Sequence, residues 1–196
     1  MGFFDGLLRK KKQSPEPKKS PPKSAETSPP KSPPLEHKAG DRIGGRYEIH
    51  HMLAGGMGMV YVCYDHEFKK AAVLKTIQDK FFLNKERRDG FKREALAWVT
   101  LGHHPHIVGA WWAQEFDDRL FVIADYIAPD EQGRNTLTHY LEENLYIKKI
   151  LTWAVECCRG MEYAVGKGVA SDRDIKPENL MITCSGTLMI CGLGRV

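Results

Sequence analysis

The stretch Asp172-Arg173-Asp174-Ile175-Lys176-Pro177-Glu178-Asn179 sets an aspartate, a lysine two residues on and an asparagine five residues on within one short span. Together they offer a base, a cation for a phosphoryl group in transfer and an oxygen ligand for a metal. A charged surface turn also produces such a string, so its weight depends on what else the chain carries. A second stretch, Leu53-Ala54-Gly55-Gly56-Met57-Gly58-Met59-Val60-Tyr61, is glycine-rich and lies between two strand-like runs. Glycine lets a hairpin backbone approach a polyphosphate closely and turn its N–H groups inward. Most glycine-rich hairpins are simply turns, and no Gly-Lys-Ser/Thr follows, which excludes a Walker loop.

Lys75 shifts that balance. It sits seventeen residues after Gly58, inside the apolar run Val73-Leu74-Lys75-Thr76-Ile77. A lysine in such a strand costs free energy unless it meets an anion. Glu94, nineteen residues further on, shares a helical face with Phe91 and Trp98 and also needs a partner. A Lys75–Glu94 ion pair resolves both anomalies and aims the ammonium at a phosphate. The simpler alternative is a snorkelling edge lysine and a solvated glutamate.

The elements that must position these residues follow from periodicity. Runs 47–53, 60–65 and 71–77 alternate in strand fashion between Gly or charged turns and form an antiparallel meander. Residues 84–100 form a helix with Phe91, Ala95, Trp98 and Val99 on one stripe. Two more strands span 106–114 and 119–126, turning at Asp117-Asp118. Residues 147–165 form a strongly amphipathic helix, with Ile147, Ile150, Leu151, Ala154, Cys158, Met161 and Val165 at three- or four-residue spacing. Short strands at 180–183 and 187–190 flank a Cys184-Ser185-Gly186 turn. Five strands with one inserted helix and then a mainly helical section make an α+β protein.

The chain has 196 residues and a formal net charge of +4, unevenly distributed. Residues 1–38 hold eight of the eleven prolines and nine Lys/Arg against four Asp/Glu, so the remainder carries −1. That excludes a basic nucleic-acid-binding body. Met1–Lys12, with Phe3, Phe4, Leu7 and Leu8 before four consecutive basic residues, is either a frayed terminus or a weak contact with an anionic membrane surface. Residues 13–39 form a Pro/Ser/Lys-rich linker too poor in apolar residues to fold alone, and 40–196 form the folded domain. The linker is most simply a spacer, though its Ser-Pro pairs at Ser14, Ser20, Ser28 and Ser32 also suit phosphorylation. The five cysteines include no C-x-x-C pair, and no apolar run is long enough to cross a membrane; both fit a cytoplasmic protein.

In combination, GGMGMVY, Lys75, Glu94 and RDIKPEN resemble the eukaryotic-like Ser/Thr protein kinases of microbes, over about 46–196. The resemblance implies a kinase fold: an antiparallel five-stranded N-lobe with one helix, then the beginning of a helical C-lobe. It implies ATP and Mg²⁺ as cofactors and a protein Ser/Thr as substrate. Leu53–Tyr61 would cover the ATP phosphates, and Lys75 would pair with Glu94. Asp174 would receive the substrate proton, Lys176 would steady the γ-phosphate, and Asn179 would hold magnesium. Main-chain groups of Asp125, Tyr126 and Ile127 would meet the adenine edge beside a small Ala124, with Val60 and Met181 sandwiching the base.

The chain departs from the kinase pattern at Leu53, where a glycine is usual, at Val73, where alanine is usual, and at Asp172, where histidine is usual. Cys191-Gly192-Leu193-Gly194 stands where a metal-binding Asp-Phe-Gly belongs, or the Asp-Phe is deleted and Gly192-Leu193-Gly194-Arg195 matches the residues after it; either way the metal aspartate is absent. The sequence therefore points to a kinase-like domain cut short after the catalytic loop, either weakly active or a nucleotide-binding pseudokinase or scaffold. An apolar stripe left open on the 147–165 helix would favour association.

Overall fold

A computed structural model describes residues 37–55, 58–169 and 175–191. The tail before His37, the glycine-loop tip Gly56-Met57, and 170–174 and 192–196 lie outside the described residues. The meander is present: β2 (Tyr47–Gly55), β3 (Gly58–Asp65) and β4 (Lys70–Ile77) pair antiparallel in sequence order. Strands β5 (Ala110–Phe116) and β6 (Arg119–Asp125) form a hairpin whose β6 lies against β4. A two-residue strand, β1 (Arg42–Ile43), adds a sixth member to the expected five, giving the order β1-β2-β3-β4-β6-β5.

The sheet has two differently buried faces because strand side chains alternate. Tyr61, Cys63, Ala72, Leu74, Phe121 and Ile123 bury one face with Ile43, Tyr47 and Ile49. The opposite face receives helix α2 (Lys85–Leu101), capped by the Asn84 side chain accepting from the Arg87 N–H at 2.9 Å. Ala95, Trp98 and Leu101 are its buried residues. A one-turn helix, α1 (Asp79–Phe82), precedes it. Buried Arg119 ties these pieces together: it donates to the Ile77 carbonyl at 2.9 Å, pairs with Asp79 at 2.6 Å and lies 4.4 Å from the Phe82 ring centre.

Helix α3 (Ile147–Gly166) packs on the hairpin β7 (Leu180–Ile182) and β8 (Leu188–Ile190). Trp153 Nε1 donates to the Gly186 carbonyl at 2.9 Å, and Glu156 accepts from the Leu188 N–H at 2.8 Å. At Gly160 the approach is so close that a Cβ would meet the His106 carbonyl at 2.8 Å and Ile190 Cδ1 at 2.9 Å. The Val108 N–H in turn donates to the Ile190 carbonyl at 2.9 Å, joining the hairpin to the segment that enters β5. The apolar stripe on α3 stands open, as its sequence suggested: Ile147, Ile150, Leu151 and Val165 are exposed, and Trp153, Gly160 and Ala164 bury the other side. No helix among the described residues is long and apolar enough to cross a membrane.

Candidate functional site

A cleft of about 930 Å³ lies between the α2-bearing face of the sheet and the β7–β8 hairpin. Strand alternation decides which residues reach it. Val60 and Val62 of β3 and Val73 and Lys75 of β4 line the cleft, and their sequence neighbours Tyr61, Cys63, Ala72 and Leu74 fill the core behind. Leu53, Ala54, Gly55 and Gly58 form its glycine-loop edge. Gly55 faces Gly58 across the ladder, and Gln78 Nε2 donates to the Gly58 carbonyl at 2.9 Å, anchoring that edge to the end of β4. A Cβ on Gly58 would stand 3.6 Å from Lys75 Cε, so Gly58 lies directly against the lysine stem.

Lys75 Nζ lies 2.6 Å from Glu94 Oε1, with the two side chains 25% and 17% exposed. Trp98 packs beside them: its ring centre is 5.8 Å from Lys75 Nζ, and its Nε1 donates to the Val108 carbonyl at 2.7 Å. Two strained sequence choices, a strand lysine and a glutamate on an apolar helix face, thus satisfy one another. The ammonium keeps two further donors for an anion in the cleft.

At the apolar end, Ala124 near the end of β6 presents only a methyl group to the cleft, and the chain continues through Asp125, Tyr126 and Ile127, all lining it. The Asp125 N–H donates to the Gly109 carbonyl at 2.9 Å, and its carboxylate accepts from Trp111 Nε1 at 2.8 Å. The Ile127 carbonyl accepts from Asn135 Nδ2 at 3.0 Å, and Asn135 O accepts from the Ile182 N–H at 2.9 Å. Asn135 therefore bridges this connecting segment to β7. Its loop is pinned by Arg134, 2.8 Å from Asp130, which holds the Asp130 carboxyl down at about 2. Among the described residues no carbonyl accepts from the Ile127 N–H, leaving a donor at the cleft wall.

On the hairpin side the cleft is lined by Met181, Lys176 and Asn179. Pro177–Asn179 form a single 3₁₀ turn, with the Asn179 N–H donating to the Lys176 carbonyl at 2.9 Å. The Cys191 N–H donates to the Asn179 carbonyl at 2.9 Å, so both ends of the hairpin hold that turn. Asp174 lies outside the described residues.

The sequence expectation is therefore assembled in one cavity at Leu53, Ala54, Gly55, Gly58, Val60, Lys75, Glu94, Asp125, Tyr126, Ile127, Lys176, Asn179 and Met181. Met59 and Tyr61 differ: they belong to the core on the other face of the sheet and do not line the cleft. The period of two along β3 dictates this, because Val60 is turned inward. Cleft residues missed from sequence include Glu86, Arg87, Gly90 and Arg93 of α2, and Asn135 and Thr136. The α2 set shares a stripe with Glu94 at spacings of three and four, which was the available signal. Among the described residues no group of three His, Cys, Asp or Glu side chains could hold a metal.

The family model "Protein kinase domain" matches residues 47–196, and the chain belongs to that family. Among curated proteins it is 29% identical over 158 residues to the serine/threonine-protein kinase PrkC of Bacillus subtilis, covering 79% of this chain and 23% of that protein. It is 29% identical over 158 residues to the serine/threonine-protein kinase PknD of Chlamydia trachomatis, covering 76% and 17%. Among solved structures, the PknI kinase domain of Mycobacterium tuberculosis matches with a TM-score of 0.66 and 25% identity, over 82% of this chain and 62% of that one. The chain thus spans about a quarter or less of the curated relatives it matches, and under two thirds of that kinase domain.

Proposed function

We propose that the cleft binds ATP and that the chain carries the nucleotide-binding part of a Ser/Thr protein kinase, whose complete form phosphorylates protein Ser or Thr. The observation carrying this reading is the 2.6 Å Lys75–Glu94 pair inside an apolar-walled cleft of about 930 Å³. An isolated salt bridge is weak evidence, but a lysine held at the glycine-loop edge by a half-buried glutamate is oriented for phosphate. The purine would lie between Val60 and Met181, with its edge at Asp125–Ile127. Lys176 would neutralise the γ-phosphate. Asp174 would take the proton as the hydroxyl oxygen bonds to the γ-phosphorus and the bond to the leaving ADP oxygen breaks. Mg²⁺ prefers hard oxygen donors, and Asn179 fits that role; bound there, the ion would offset the phosphate charge.

One observation favours a second reading, a nucleotide-binding pseudokinase or scaffold: Cys191-Gly192-Leu193-Gly194 supplies no carboxylate where the family places a metal ligand. Losing that ligand should slow transfer by several powers of ten. The open face of α3 suits association with another protein surface, Met1–Lys12 suits weak contact with an anionic membrane, and the cytoplasm suits the free thiols. The test is Mg²⁺-dependent transfer of labelled phosphate to a protein acceptor, wild type against Asp174→Ala. Kinase function predicts a signal lost in the variant. ATP binding without transfer supports the pseudokinase, and a signal that survives Asp174→Ala removes the assigned base.

A further inference from the structure

Strand β5 carries one extra residue against β6. Ala110 faces Ala124 and Trp112 faces Ile123, so Trp111 is the added residue of a β-bulge. Bulges re-aim a side chain and gather beside functional sites. Regular alternation would put Trp111 and Trp112 on opposite faces of the sheet. Instead both pack on the cluster behind the sheet, while Ala110 and Ala113, on either side of them, belong to the cleft-side cluster. Trp111 therefore stands on the face away from the cleft, where its Nε1 donates to Asp125 Oδ1 at 2.8 Å. Lys70 Nζ lies 3.5 Å from the centre of the same indole ring.

Asp125 is the last residue of β6 and lines the cleft. Ala124 belongs to the cleft-side cluster and Ile123 to the opposite one, so alternation turns the Asp125 side chain away from the cleft. Its main chain is what remains for a ligand. Gly109 completes the arrangement. Its carbonyl accepts from the Asp125 N–H at 2.9 Å, and a Cβ on Gly109 would stand 2.6 Å from Asp125 Oδ2. The carboxylate thus fills the space that the absent side chain leaves, with one oxygen against Gly109 and the other on Trp111. Backbone and side chain of Asp125 are both tied to the segment that enters β5. Beyond this anchor the chain leaves the sheet through Tyr126 and Ile127, and Asn135 Nδ2 holds the Ile127 carbonyl at 3.0 Å. The stretch between the two anchors is the one assigned to the purine edge.

We propose that Trp111, together with Gly109, is a positioning residue for nucleotide binding. Through the Asp125 carboxylate it fixes where the main chain of Asp125–Ile127 meets the purine. The inference rests on the nucleotide reading of the cleft. It adds to that reading two residues that do not line the cleft and a bulge whose re-aimed indole is otherwise unexplained.

Trp111→Phe removes the Nε1 donor and keeps an aromatic ring for Lys70 and for the cluster behind the sheet. In calorimetric titrations adenosine and ATP should both bind about five- to tenfold more weakly, less than the full effect of one hydrogen bond to a charged group because the loss is transmitted through the main chain. The ratio of the two affinities should stay within about twofold of wild type, since the phosphate end is untouched. Amide hydrogen exchange without nucleotide should quicken at Asp125 and keep its wild-type rate in β3 and α2. Gly109→Ala, which pushes the carboxylate out of its slot with Trp111 intact, should reproduce both effects. Wild-type affinity for adenosine in both variants would overturn the proposal even where exchange quickens, because the clamp would then serve the fold alone. Exchange that quickens equally in β3 and α2 would also overturn it, because the loss would then be one of global stability. Wild-type protein that binds no adenosine would remove the nucleotide reading itself, and the proposal with it.

Discussion

Replacing Lys75 by methionine keeps the length and apolar stem of the side chain and removes the ammonium, leaving Glu94 only 17% exposed and without the partner it holds at 2.6 Å. Hydrogen bonds to charged groups contribute about 1.5–3 kcal/mol. If Lys75 meets a phosphate, ATP should bind roughly 10- to 150-fold more weakly, at 1.4 kcal/mol per decade. Adenosine has no phosphate, and the apolar wall of Val60, Ala124 and Met181 is untouched by the change. Its affinity should therefore stay within about twofold. Global stability should fall by about 1–3 kcal/mol from the unpaired carboxylate, and Glu94→Gln in the same background should recover part of it. Calorimetric titration with ATP and adenosine, beside urea denaturation at the same temperature, separates these effects. Parallel losses for ATP and adenosine, in a variant that remains folded, would refute the phosphate role and assign Lys75 to structure alone.

Three further outcomes follow from the geometry. Ala124→Leu should weaken ATP and adenosine alike, by tenfold or more in a direct titration, because the added branch enters the cleft beside Val73 and Trp98. Gly160→Ala should destabilise the fold by about 1–3 kcal/mol in urea melts, since its Cβ meets the His106 carbonyl at 2.8 Å. Asp65→Asn should cost about 3 kcal/mol at pH 7, because it breaks the paired bonds from Arg46. Arg46 holds the Asp65 carboxyl below its ordinary value, so its contribution is complete above the unfolded pKa of about 3.9. That contribution disappears as pH falls through the lower folded value. Wild type minus Asp65→Asn stability, followed from pH 7 to pH 2, should shrink across that acid window.

The parts of the fold legible in sequence were those whose residues faced two unlike environments. Lys75 stands out because its strand neighbours are apolar, and Glu94 because its helical neighbours are, so their pairing is legible from residue type and spacing alone. The β2–β3–β4 meander and both long helices have enough residues to express their period. Strand β1 has two residues and α1 four, too few for any periodic signal. The β5 strand begins at Ala110, four residues later than its apolar run. The pairing slips between Ala110 and Trp112, and His106–Gly109 instead bond to β8 and Asp125. The apolar stripe of α3 is legible from its spacing and stands open as expected, whereas the side that Trp153, Gly160 and Ala164 bury carries no comparable apolar period. Buried Arg119 gave no warning, since its acceptors Ile77 and Asp79 lie about forty residues away in the chain.

Nucleotide binding by the wild-type cleft is the most direct test of the functional reading. Calorimetric titration of the full chain with ATP should show one saturable site, displaced by excess adenosine because both occupy the wall between Val60 and Met181. No saturable binding at millimolar ATP, or ATP binding indifferent to saturating adenosine, would contradict it.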